Sequence, residues 1–388
     1  MIFDIFISII LFIAGFSFIS SLKFSRKDTK NLQHLWLFHI IVAIGFYFFT
    51  RNGGGDAWGY WRIAQGMTKE DFINSISASQ GTEFMNALNY IPANILNMGF
   101  FVNTIFYAFL GFIGFALFYN ICISLIPYNT KIKKTYLFPL LLFLPNLHFW
   151  SSGVGKDTIL FLCVAIVAYG LMNIVKRFPL IAVGLLLSFF IRPHITLFLV
   201  ASFGLAYVIN GKISKPQRIF LSLLLLAATI IIIPIAMEFA KIEEASIDSF
   251  EDFSGSQAAA LSRSNTGSAV DISSYPYPLK ILTFLYRPTF FDINGLPALI
   301  ASFENLLLLI LSIQAIRKSP VKTFRAAPLI IQGLLIFLII GTFAFSASLG
   351  NLGIMLRMRN MFLPGMIIYI LWAFSYKQEC LLKHRKNA

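Results

Sequence analysis

From Gly99 to Ile126 the chain runs without a charged side chain, and Ile5–Ile19, Leu35–Phe49 and Phe220–Ile235 are runs of the same kind. A helix needs about 20 such residues to cross the hydrocarbon core of a bilayer. Inside that core every backbone N–H and C=O must be satisfied within the chain, which leaves only helices and closed barrels. A barrel would show segments of alternating polarity, each about 10 residues long, whereas here Leu and Ile run continuously among 42 Phe. Only 12% of residues are charged and 57% are apolar, against roughly 25% charged in a soluble domain. The expected fold is therefore all-α, a polytopic transmembrane helix bundle forming one integral-membrane domain over 1–388, with the lipid bilayer as solvent.

Hydropathy predicts eleven spans, at 3–22, 35–50, 99–126, 136–150, 158–175, 179–191, 195–210, 219–237, 296–316, 327–346 and 361–376. The first lacks a basic n-region, with Asp4 in its place, and no A-x-A-like cleavage site follows, so it reads as a helix rather than a signal peptide. Lysine and arginine then orient the bundle. Six alternate segments (23–34, 127–135, 176–178, 211–218, 317–326 and 377–388) hold twenty of the 31 basic residues and two of the 17 acids, so one face carries +18 and the other −4. This asymmetry places the N-terminus outside and the C-terminus in the cytoplasm. The net charge of +14 serves orientation and anionic headgroups rather than nucleic acid. Two large segments fall outside: a first loop at 51–98, and a long one at 238–295 with room for an interfacial helix near 279–295. Cys122 and Cys163 lie within apolar runs and Cys380 in the basic tail, so neither a disulfide framework nor a metal cluster is expected.

The outward segments hold the unusual residues. In Arg51-Asn-Gly-Gly-Gly-Asp56-Ala-Trp58-Gly-Tyr60-Trp61-Arg62, three glycines precede an acid and a set of aromatics. This reads as a lip where a carboxylate meets sugar hydroxyls and Trp58 and Tyr60 stack on the ring; it also reads as a turn with an interfacial aromatic belt. Trp150-Ser-Ser-Gly-Val-Gly155-Lys156-Asp157 lacks both the glycine and the Ser/Thr of a nucleotide-binding P-loop. What remains is a Gly-rich turn that opens a helix with Lys156 beside it, suited to a phosphate, or a solvated turn. Arg192-Pro193-His194 breaks two apolar runs, and Arg and His at the membrane edge are costly unless paired or functional. Arg357 and Arg359, on the side that normally avoids cations, form an anion clamp or a structural ion pair with Asp56 or Asp292; Arg287 and Arg263 complete the outward cations. Within 238–278, Glu243, Glu244, Asp248, Glu251 and Asp252 make an acidic half, and the Ser/Ala/Gly-rich stretch 254–274 reads as a mobile loop.

Arginine forks hold phosphate oxygens and stabilise charge on a departing phosphate, while a carboxylate or imidazole accepts the proton of an attacking hydroxyl. Asp56 and His194 are the catalytic candidates, and no metal or other cofactor is required.

The Arg51…Asp56…Tyr60 lip, the Trp150…Gly-x-Gly-Lys156-Asp157 turn, Arg192-Pro-His194 and Asn351-x-Gly…Arg357-x-Arg359 resemble the Wzy/EpsG-like membrane proteins of bacterial polysaccharide clusters. That resemblance implies polymerisation of polyprenyl-diphosphate-linked oligosaccharide repeat units on the outer face of the bacterial cytoplasmic membrane, in company with other polysaccharide-assembly proteins. It carries over Asp56, Arg192, Arg357 and Arg359 as site residues; the Lys156 turn and the outside N-terminus depart from better-known polymerases. Two alternatives stay open. A glycosyltransferase using polyprenyl-phosphate sugars would also place an acid in the first outer loop, though usually a paired one. A flippase for the lipid-linked unit would keep its charges nearer mid-membrane and show repeated halves.

Overall fold

The computed structural model describes residues 2–78, 80–132, 134–211, 214–240, 247–262 and 267–387. In chain order the helices are α1 (Ile2–Ser21), α2 (Arg26–Arg51), α3 (Ala57–Gly66), α4 (Lys69–Ala78), α5 (Thr82–Tyr90), α6 (Phe100–Leu125), α7 (Leu137–Leu140), α8 (Pro145–Phe149), α9 (Lys156–Leu171) and α10 (Ile174–Ile191). They continue as α11 (Pro193–Asn210), α12 (Lys215–Ala240), α13 (Ile247–Ser262), α14 (Tyr277–Tyr286), α15 (Leu296–Ile316), α16 (Pro320–Ala326), α17 (Leu329–Ser346), α18 (Leu352–Arg359) and α19 (Leu363–Asn387). One two-residue ribbon pairs Lys131–Ile132 with Thr135–Tyr136.

The chain is a helical, multi-pass membrane protein. Among the described residues seven helices are long and apolar enough to cross a bilayer, or eight if α18 and α19, bent by 63°, count as one broken span. The predicted span 136–150 is not one helix. It is divided into α7, a 3-10 turn at Leu141–Phe143, and α8. Phe138 stands before Pro139 with extended backbone (φ −102°, ψ 131°), and Leu144 before Pro145 is likewise extended. A residue preceding proline is pushed out of the α region, so hydropathy persists where helix cannot. The predicted mobile stretch 254–274 is helical through Ser262, where an Ala-Ala-Ala-Leu run favours helix. Glu243, Glu244 and Arg263 lie outside the described residues. Helix α14 occupies part of the room expected for a helix in 238–295, and the first loop, 51–98, contains α3, α4 and α5.

The helices group into two compact units, one of residues 1–121 and 142–192, the other of 122–141 and 193–388. In the first unit Trp36, fully buried, inserts against Gly15 of α1 and donates its indole N–H to Phe12 O at 3.0 Å. Tyr119 of α6 donates to Asp28 at 2.7 Å and accepts from Asn31 at 3.1 Å, tying α6 to the start of α2. Gly170 and Gly184 let α9 and α10 approach closely, against Ile181 and Val167 respectively. Small residues at helix contacts matter in lipid because association rests on van der Waals packing rather than on a hydrophobic drive. Helix α1 is only 11% buried and turns Phe3, Ile5, Phe6 and Ile9 outward, a surface tolerable only against hydrocarbon.

In the second unit α17 is the central helix, 61% buried. Its Gly333 and Gly341 receive the rings of Phe203 and Phe362, and Gly365 of α19 abuts the carbonyl of Leu334. Trp372 donates to Thr323 O at 3.0 Å, and Ser375 accepts from the Tyr128 backbone N–H at 3.0 Å.

Candidate substrate-binding site

The first unit assembles three of the segments singled out by sequence. Helix α2 ends at Arg51, and Gly53 and Gly55 adopt positive φ (90° and 71°), a reversal that side chains with a Cβ resist. Asp56 then stands exposed at the start of α3, with Tyr60 one turn on. The Arg51 guanidinium lies 4.2 Å from the centroid of Trp58, and Trp58 packs at 4.9 Å on Trp61 and 5.0 Å on Phe100. Trp58 is thus a held, half-buried ring rather than a free belt residue. Tyr60 is buried.

The Gly-rich turn sits deep in the unit. Ser151, Ser152 and Val154 are buried, and Gly153 makes room for the ring of Phe46. Thr158 donates to Gly153 O at 2.6 Å, folding the turn back on the first turn of α9. The buried indole N–H of Trp150 has no hydrogen-bond partner among the described residues. Lys156, the first residue of α9, donates to Thr82 Oγ1 at 3.0 Å, with its ammonium 6.0 Å from the Tyr60 ring centroid. Asp157 is buried and lies 3.8 Å from the guanidinium of Arg192, whose side chain is 13% exposed. Arg192 is where α10 must stop, since Pro193 follows and Arg192 turns extended. Helix α5 docks on the same end of α10: Gly81 N–H donates to Phe190 O at 2.8 Å, and Phe84 stacks on Phe190 at 5.0 Å. Tyr60, Thr82, Lys156, Asp157 and Arg192 therefore come together from four helices. Thr82 carried no signal in sequence, being an ordinary residue at the start of a short helix.

The remaining candidates lie in the second unit. His194, half-buried, is 5.8 Å from Phe345 and 6.0 Å from Phe198, ring to ring. Arg357 is half-buried on α18. Arg359, only 1% exposed, is engaged by the protein itself: it donates to Phe284 O at 3.2 Å, to Leu285 O, and to Asn305 Oδ1 at 2.6 Å. Those carbonyls end α14, where helical donors have run out, so the guanidinium serves as a C-cap. Buried Glu304 adds a negative charge nearby.

Arg287 is likewise committed. It donates through Nε to Asp292 at 3.1 Å, through a second nitrogen to the other carboxylate oxygen, and to Tyr275 Oη at 3.3 Å. Asp292 also accepts from the Thr289 N–H and hydroxyl at 2.7 and 2.9 Å. Burial pushes the Asp292 carboxyl up, but the Arg287 and Thr289 hydrogen bonds outweigh it and hold the group below the usual 3.8. A depressed folded pKa means stabilisation present above 3.8 and lost as pH falls through the folded value. Asp292→Asn should thus lower the thermal midpoint at pH 7, with the gap from wild type closing below about pH 4. A gap of constant size down to about pH 3 would refute this ion-pair account.

Comparison with family models, with curated proteins and with solved structures returns no match for this chain.

Proposed function

We propose that the chain is an integral-membrane glycosyltransferase that polymerises polyprenyl-diphosphate-linked oligosaccharide repeat units on the extracytoplasmic face of the bacterial cytoplasmic membrane. The observation that carries this reading is the meeting of Lys156 and Arg192 with Tyr60, Thr82 and Asp157 in the first unit. Two cations at the junction of a helix start and a helix end, in a chain of membrane-crossing helices, suit a diphosphate anchored in lipid. The Arg192–Asp157 pair, at 3.8 Å, is looser than a hydrogen bond. In this reading Asp157 orients the guanidinium toward a phosphate. The half-buried Trp58, held by Arg51 and Trp61 at the start of α3, offers an aromatic ring to a saccharide.

In the reaction proposed, an acceptor hydroxyl attacks the anomeric carbon of the donor unit. A glycosidic bond forms, the bond from that carbon to the diphosphate breaks, and the lipid diphosphate leaves on Lys156 and Arg192. Exposed Asp56 takes the hydroxyl proton. Arg287 and Arg359 support the fold of the second unit.

The test uses a host that makes the lipid-linked unit. Arg192→Ala and Lys156→Ala should insert at wild-type levels yet lower polymer at least tenfold, while single lipid-linked units accumulate where an added glycosidase reaches them from outside. Wild-type chain lengths in both variants would reject the assignment. Accumulation only on the cytoplasmic side would instead favour the flippase.

A further inference from the structure

The first unit contains a buried group that this reaction does not use. His39 of α2 and His148 of α8 are both fully buried, and their Nδ1 atoms lie 2.8 Å apart. Each ring also makes a second contact at its other nitrogen: His39 Nε2 is 3.1 Å from Ala108 O, and His148 Nε2 is 2.7 Å from Leu142 O. A backbone carbonyl only accepts, so both Nε2 atoms must carry hydrogen. In a neutral imidazole that leaves a lone pair on Nδ1, and here two such lone pairs would face each other at bonding distance. One added proton turns that repulsion into an N–H···N hydrogen bond. Three contacts therefore require three protons on two rings, one more than two neutral imidazoles hold.

Burial costs a cation here its hydration, and the surrounding rings offset part of that loss. The Phe115 ring stacks on His148 with centroids 4.1 Å apart and planes 10° from parallel, and it lies 5.2 Å from His39. A π face so placed attracts positive charge, the more so away from water. Phe38 of α2 meets His148 edge-on at 4.8 Å, and Trp36 and Phe112 approach His39 at 6.4 and 6.3 Å. From α2 the pair thus meets Trp36 and Phe38, from α6 Phe112, Phe115 and the Ala108 carbonyl, and from 141–151 the Leu142 carbonyl. Among the described residues the one ionisable group acting on either ring is the other ring.

We propose that His39 and His148 form a proton-binding site within the helix bundle, a single proton shared between the two Nδ1 atoms and clamping α2 to α8. His148 leads within two residues to Trp150 and then to the turn that presents Lys156. Loss of the proton would set lone pair against lone pair and loosen α8 from α2, so that occupancy of this site reaches the turn. The step is acid–base only: one proton enters from water, and no bond other than N–H is made or broken.

The experiment is 15N NMR on the full chain in lipid nanodiscs, with 15N-labelled histidine and His34, His194 and His384 replaced by Gln so that only the pair reports. The expected result is one far-downfield proton coupled to both Nδ1 nitrogens, with both Nε2 atoms protonated, titrating as a single one-proton unit shared by the rings. Two rings that stay neutral between about pH 5 and about pH 8, or that titrate independently near the unperturbed 6.5, would overturn the site. Because the readout is on the intact pair, it does not depend on a His39 or His148 variant folding. It is also independent of polymer formation.

Discussion

Arg359→Ala will leave little folded protein to extract, whatever happens to the reaction. The guanidinium is 1% exposed and is shared among Phe284 O, Leu285 O and Asn305 Oδ1. Asn305 in turn donates to Pro288 O at 2.8 Å, so one side chain joins the end of α14, the following loop and α15. Alanine would strand two carbonyls, the Asn305 amide oxygen and the buried Glu304 charge, and would also open a void. Removing one partner from a buried charged network costs roughly 3–5 kcal/mol, a large part of the stability of an ordinary domain. Arg359→Lys should be intermediate, because an ammonium keeps the charge but lacks the planar fork that spans two carbonyls and an amide. Detergent extraction with fluorescence-detected size exclusion, followed by a thermal melt, measures both. An alanine variant that melts like wild type yet makes no polymer would return Arg359 to the substrate.

The second large effect is Gly111→Ala. Gly111 sits where α6 meets the turn after α8, and a methyl group there would overlap the backbone carbonyl of Ser151 and come within 3.3 Å of His39 Nε2. The obstacle cannot swing aside as a side chain would. Ser151 is fixed by its N–H to His148 O at 3.3 Å and its hydroxyl to Leu147 O at 2.6 Å. Overpacking against rigid backbone costs about 3 kcal/mol, at the upper end of the usual range. Gly45→Ala is the control: it lies in α2 with nothing within 4 Å of an added Cβ, so it should leave stability unchanged or raise it by up to about 1 kcal/mol. Equal melting midpoints for the two variants would mean that α6 does not approach the turn as closely as described.

These two sites show where sequence reasoning runs out. The helix Leu296–Ile316 falls on the expected span, and Ile2–Ser21 lies one residue from it, because an apolar run of that length has only one way to satisfy its backbone in lipid. At 136–150 the same rule misleads: Pro139 and Pro145 act on local φ/ψ while leaving hydropathy intact. The Gly-rich turn and Arg192 were legible as unusual charges on the wrong side of the charge asymmetry. That Asp157 lies 3.8 Å from Arg192 was not, since the 34 intervening residues carry no trace of the contact.

Arg359 is the sharper case. Its position outside the expected pattern of basic residues marks it, but its partners are carbonyls 74 and 75 residues away, and any residue type supplies a carbonyl. The His39–His148 pair, 109 residues apart, gave no pattern at all; each alone reads as a polar residue in an apolar stretch.

What the sequence by itself determined is the solvent and the class of fold: long apolar runs with 12% charged residues must become helices in lipid, because unpaired backbone groups are too costly there. What only the tertiary structure decided is which groups each of the outward cations meets. Lys156 meets Thr82 and Tyr60 and Arg192 lies beside Asp157, while Arg287 and Arg359 are taken up by Asp292 and by the end of α14. The physical reason is that a guanidinium removed from water takes the nearest acceptors, and nearness across many tens of residues is set by packing rather than by spacing along the chain.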